Sequence, residues 1–97
     1  MESEADRLLN TLRAALPALR REFPLRRLAL FGSTARGETS DGSDIDILVE
    51  VEPSIGLGFV TLAEKLEELT GRKVDLISRR AIKPNLWKQI EPELIDV

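Results

Sequence analysis

The sequence predicts a small α/β (α+β) domain, a mixed β-sheet with helices packed on one face, and three patterns carry that prediction. Near the N-terminus, Leu8, Leu9, Leu12, Leu16 and Leu19 recur at spacings of three and four, which lines one stripe of a helix. Further on, Ile45 to Val51 and Lys73 to Ile77 are short, rich in branched residues and alternate in the two-residue period of a strand. Between those two stretches lies a second helical pattern, so strand, helix and strand follow one another.

Each element has its own local signals. The first helix is expected over about Ser3 to Phe23, with Ser3 and Asp6 as an N-terminal cap. Pro17 is placed to kink or split it, and Pro24 ends it. Leu25 to Phe31 reads as a strand, and Gly32 closes that strand and opens a loop. Gly37 to Ser43 is all turn-forming or polar residues and reads as a solvent-facing connection. After the strand at Ile45 to Val51, Pro53 to Gly58 reads as a loop. A helix then runs from about Phe59 to Thr70, with Val60, Ala63, Leu66 and Leu69 on its apolar face and Gly71 as its stop. Pro84 begins a last short helix packed through Leu86, Trp87 and Ile90, and Leu94 to Val97 is either a tail or an edge strand.

Composition narrows the chemistry before any motif is considered. With 97 residues there is material for one domain, expected to occupy 1–97. Cysteine and histidine are both absent. Thiolate chemistry, histidine bases and histidine-ligated metals are thereby excluded, and any metal must be held by oxygen. A net charge of −3 argues against a dominant nucleic-acid surface, although Arg20-Arg21, Arg26-Arg27, Arg72-Lys73 and Arg79-Arg80 are local basic pairs. No apolar run is long enough to span a membrane and the acidic start is no signal peptide, so the expected location is the cytoplasm.

The acidic positions in the strands carry the functional signal. Asp44 and Asp46 alternate with Ile45 and Ile47, so both carboxylates project from one face while the isoleucines enter the core. Two such acids repel unless a cation lies between them, and a hard ion such as Mg²⁺ suits an all-oxygen site. Asp75 alternates with Val74 and Leu76 in the same way, and neighbouring strands lie about 4.8 Å apart. Three carboxylates on adjacent strands can hold two metal ions, the arrangement that serves in-line phosphoryl transfer. Gly32-Ser33 offers backbone amides and a hydroxyl to a phosphate, and Arg36 can neutralise its charge. Taken singly, each of these has a plain structural reading: a turn, a solvated strand face, an arginine paired with Glu38 or Asp41.

Their spacing is what lifts them above that. Gly32-Ser33-Thr34-Ala35-Arg36-Gly37, followed by Ser43-Asp44-Ile45-Asp46-Ile47-Leu48-Val49, resembles the GS-x10-DxD signature of the DNA polymerase beta-like nucleotidyltransferases. The short chain and the third acid, in Lys73-Val74-Asp75-Leu76-Ile77, look like the minimal nucleotidyltransferase (MNT) branch. The resemblance implies a polymerase beta-like fold that binds ATP and two Mg²⁺ ions. Asp44, Asp46 and Asp75 would be metal ligands and catalytic residues, and Gly32, Ser33, Arg36 and Ser43 would bind the nucleotide. MNT proteins of this size often pair with a HEPN-domain toxin, on which the MNT antitoxin is thought to place AMP at a tyrosine. The expected activity is therefore protein adenylylation (AMPylation). The alternatives are neutralisation by occlusion without catalysis, with Trp87 as a partner anchor or simply as core, and transfer to a small molecule or RNA.

Overall fold

The computed structural model describes residues 2–38 and 42–97. The expected Gly37 to Ser43 connection lies partly outside them, at Thr39, Ser40 and Asp41. The first helix, α1 (Glu4–Glu22), opens on a capping box in which the Asp6 amide donates to Ser3 Oγ (3.1 Å) and the Ser3 amide to Asp6 Oδ2 (3.3 Å). Pro17 does not split α1. The ring sits at an exposed position, where the amide hydrogen bond it forgoes faces water. Leu8, Leu9, Leu12 and Leu19 are buried, as the spacing requires.

Strand β1 (Leu25–Leu30) follows, then a single helical turn α2 (Gly32–Ala35) where a loop was expected. Strand β2 (Ile45–Val51) has the bounds its alternation dictated. A 3₁₀ turn at Pro53–Ile55 leads into α3 (Gly58–Thr70), which Gly71 ends in the left-handed conformation (φ +69°). Strand β3 (Val74–Ser78), a 3₁₀ turn at Arg79–Ala81, α4 (Pro84–Ile90), a further turn at Glu91–Glu93 and a short edge strand β4 (Ile95–Asp96) complete the chain.

The sheet order is β3-β2-β1-β4, with β1 antiparallel to both β2 and β4, and β2 parallel to β3. Helix α3 makes the crossover that two parallel strands need. Leu28, Leu30, Ile45, Ile47 and Val49 point to one face and pack with the leucines of α1 and with Leu62 and Leu66 of α3. The expected α3 face is turned by one residue: Leu62 and Leu66 are fully buried, whereas Val60 is 57% exposed and Leu69 sits at the surface. Leu66 belongs to both possible stripes, and Phe59 with Leu62 forms the apolar contact that decides between them.

The long helices therefore cover one face, as expected. The chain's C-terminal part adds partial cover to the other, where Phe31, Leu48 and Ile82 are buried beneath Ile77, Trp87, Ile90 and Leu94. Leu86, expected to pack, is 49% exposed. No helix among the described residues is long and apolar enough to cross a membrane.

Candidate active site

Strand register arranges the second face of the sheet in rows. In the first row Asp46 and Asp75 are direct partners across the parallel β2–β3 pair. Phe31 continues the row on the β1 side by donating its amide to the Asp46 carbonyl (3.2 Å). The next row is apolar, with Ile77 beside Leu48 and Leu48 beside Ala29. Asp44 precedes β2 by one residue, is exposed, and adds its charge to the acidic row. Asp46 and Asp75 thus lie on one face, along one edge of the apolar cover, with Asp44 just before the strand.

The electrostatics of that edge centre on Asp46. Its carboxyl is pushed above the usual range, first by partial burial and then by the charges of Asp75 and Asp44. The Ser33 hydroxyl, donating to Asp46 Oδ2 at 3.3 Å, and the nearby Arg36 charge work in the opposite direction. Among the described residues no three carboxylates converge tightly enough to form a metal cage. Bare acids that repel one another stay apart, while the excess of negative charge and the purely oxygen donor set fit a hard divalent cation.

Helix α2 is built against this acid. Gly32 has φ +59°, and a Cβ placed there would stand 3.0 Å from Asp46 Oδ2. Glycine at this position therefore gives the turn its left-handed start and leaves room for the carboxylate. Thr34, fully buried, accepts the Asp46 backbone N–H at 2.8 Å through its Oγ1 and so fixes α2 to the first residues of β2. Alternation and spacing gave no sign of Thr34; the one available signal was a hydroxyl residue inside the Gly-Ser turn.

The remaining predicted residues are distributed as follows. Arg36 ends α2 and pairs with Glu38 (3.1 Å) and with Glu93 (3.2 Å). Its alternative partner Asp41 lies outside the described residues. Ser43 is half-buried, and its carbonyl accepts from Arg72 Nη2 at 2.7 Å. Arg72 also pairs with Glu4, which ties the chain entering β2 to the start of α1. A concavity of about 500 Å³, lined by Val51, Ile55, Phe59, Ser78 and Arg80, lies at the opposite ends of β2 and β3. It contains none of the predicted site residues.

This geometry can be set beside known proteins. The nucleotidyltransferase domain family matches residues 12–97. The chain belongs to that family. Protein adenylyltransferase MntA of Thermococcus cleftensis is 42% identical over 81 residues, covering 81% of this chain and 81% of that protein. A solved minimal nucleotidyltransferase superposes with a TM-score of 0.83 at 35% identity, over 96% of this chain and 95% of the other. Chains from two solved toxin–antitoxin complexes each match with a TM-score of 0.65 and cover 70% of the matched chain. One complex was solved with AMP-PNP and is 27% identical over 95% of this chain. The other is a tri-AMPylated Shewanella oneidensis HEPN toxin with its MNT antitoxin, 25% identical over 92% of this chain. The four-stranded mixed sheet is thus that of a minimal nucleotidyltransferase, and the chain is an enzyme of the nucleotidyl-transfer class.

Proposed function

We propose that this chain is the cytoplasmic antitoxin of a HEPN/MNT pair, and that it transfers AMP from ATP to a tyrosine hydroxyl of its HEPN toxin. The observation that carries the proposal is the row of Asp46 and Asp75, with Asp44 just before it, beside the Gly32-Ser33 turn. Relatives named as protein adenylyltransferases, and a related complex whose toxin is AMPylated, support a protein acceptor. The AMP-PNP complex supports ATP as the donor.

In this reading the acceptor oxygen attacks the α-phosphorus of ATP, the bond to the β-phosphate oxygen breaks, and pyrophosphate leaves in line. Asp44 and Asp46 would hold Mg²⁺, with Asp75 as the third ligand and the group that would receive the hydroxyl proton. When bound, the metal neutralises charge on the attacking and leaving oxygens. The first amides of α2 have no preceding-turn carbonyl to bond, and with the Ser33 hydroxyl they cradle the triphosphate. Arg36 neutralises phosphate charge from the end of the same turn. Ser43 contributes at the mouth of the site, where Arg72 holds its backbone.

The test is incubation of the chain with labelled ATP, MgCl₂ and the HEPN protein encoded beside it, followed by mass spectrometry of that protein. Tyrosine-linked AMP that is lost with Asp44→Asn supports the proposal; undiminished labelling by that variant sinks it. Occlusion is the second reading, favoured by Leu57, Val60 and Leu86, which present apolar surface at 90%, 57% and 49% exposure. Trp87 supports it less, because its indole lies against the second core cluster under the Arg79 guanidinium, 3.9 Å from the ring centre. Neutralisation that survives loss of all three acids would favour occlusion.

A further inference from the structure

Arg36 occupies a contested position. Its charge reaches Asp46 and lowers that group's proton affinity, yet its guanidinium is turned to two other acids. Nε donates to Glu38 Oε2, two residues on. Nη1 donates to both carboxylate oxygens of Glu93, at 3.3 and 3.2 Å, across 57 residues of chain. Glu93 belongs to the turn that leads from α4 to β4, and its neighbour Leu94 packs on the second face of the sheet. That turn therefore reaches back to the Gly-Ser turn through one arginine.

We infer that Glu93 is a displaceable latch that competes with the nucleotide's phosphates for Arg36. This rests on the nucleotidyltransferase reading of the site and assigns a regulatory role to a residue outside the motif. A guanidinium binds a carboxylate and a phosphate through the same fork, so it cannot serve both fully at once. Arg36 and Glu93 are each nearly half exposed, at 45% and 44%, so the pair is weak enough to be exchanged. With no nucleotide present, Glu93 shares with Glu38 the balancing of the Arg36 charge beside the turn, and holds the Nη1 arm of its fork. When the triphosphate arrives, Arg36 rotates from Glu93 to phosphate, and the turn at Glu91–Glu93 loses its tie to α2. Nucleotide occupancy is thereby transmitted to the C-terminal segment.

Calorimetric titration with AMP-PNP and MgCl₂, which avoids turnover, tests this in the full chain. An exposed ion pair shifts an equilibrium by about twofold to fivefold, so Glu93→Gln is expected to tighten binding by that factor. Arg36→Gln is expected to weaken binding, and adding Glu93→Gln to it should then change nothing, because the latch has lost its object. Circular dichroism confirms that each variant is folded. Unchanged or weaker binding by Glu93→Gln overturns the latch. So does a tightening that persists without Arg36, which would mark simple charge repulsion. If the folded wild-type chain binds no AMP-PNP at all, the nucleotidyltransferase reading fails and the latch fails with it.

Discussion

One face of the sheet carries two groups of acids with opposite electrostatics, one on the row before Ile77, Leu48 and Ala29 and the other where Asp96 ends that row and Glu50 stands on the next. At one end, Asp46 faces Asp75 across the β2–β3 pair with Asp44 just before it, and its carboxyl is pushed above the usual carboxylate range by burial and by its neighbours' charge. At the other, Glu50 and Asp96 flank Arg27, whose Nε lies 2.6 Å from Asp96 Oδ1 and whose Nη1 lies 3.3 Å from Glu50 Oε2. The hydrogen bond from Arg27 holds the Asp96 carboxyl below its ordinary range. The paired end contributes to the fold, pinning a two-residue edge strand to β1. The acid-rich end costs stability, because folding places Asp46 where its charge is disfavoured.

The largest effect separating the two ends is expected from Asp46→Asn. Loss of a group that positions charge in the transition state costs on the order of a hundredfold to a thousandfold in rate. AMP transfer measured with labelled ATP should fall by at least that much. The same substitution removes a disfavoured charge, so thermal unfolding at neutral pH should occur at an unchanged or higher temperature. Addition of MgCl₂ should raise the melting temperature of the wild type but not of the variant. A variant that unfolds at a clearly lower temperature would mean the acidic row is structural after all.

Gly32→Ala comes next. The new methyl would meet the Asp46 carboxylate at 3.0 Å and would hold a non-glycine residue at φ +59°. The backbone cost is roughly 1–2 kcal/mol. Displacement of Asp46 should reduce AMP transfer by more than tenfold, because small misplacements of reacting groups are costly. The same substitution at Gly37, where a Cβ would meet nothing within 4 Å, separates the two causes. It carries the backbone cost at φ +71° without the clash and should leave more of the activity. Equal losses in the two variants would remove the special role of Gly32.

Thr34→Val isolates the support beneath the site. It keeps the shape of the side chain but leaves the Asp46 N–H without its acceptor, at a cost of about 1–3 kcal/mol in urea unfolding. Activity should fall less than with Gly32→Ala, since the carboxylate itself is not struck. Neither Thr34 nor Glu93 was legible in the sequence, and for one reason. Each acts through a partner that only folding brings near: Asp46 for Thr34, and Arg36 across 57 residues for Glu93. What was legible is what obeys a local period. Alternation located β2 and the shared face of Asp46 and Asp75. Helical spacing located α3 but not its buried side, because Leu66 satisfies two stripes and only the packing of Phe59 and Leu62 chooses between them.

The smallest effect belongs to the paired end and is a matter of sign. A carboxyl whose proton affinity is lowered by folding stabilises the native state above its unfolded pKa, about 3.9 for aspartate, and loses that contribution as pH falls through its folded value. Asp96→Asn should therefore be less stable than wild type at pH 7, and the difference should close as the pH drops below about 4. Asp96 is 61% exposed at its side chain, so the difference should not exceed about 1 kcal/mol. Asp46 behaves in reverse, because folding raises its proton affinity. Its charge opposes folding above the folded pKa, and protonation relieves the cost as pH falls. Any stability gained by Asp46→Asn at pH 7 should thus shrink on acidification, while the loss in Asp96→Asn shrinks from the other side. Paired unfolding curves at pH 7 and pH 3.5 should show these differences with opposite signs at neutral pH and both diminished in acid. Differences of the same sign at pH 7 would dissolve the contrast between the two ends of the face.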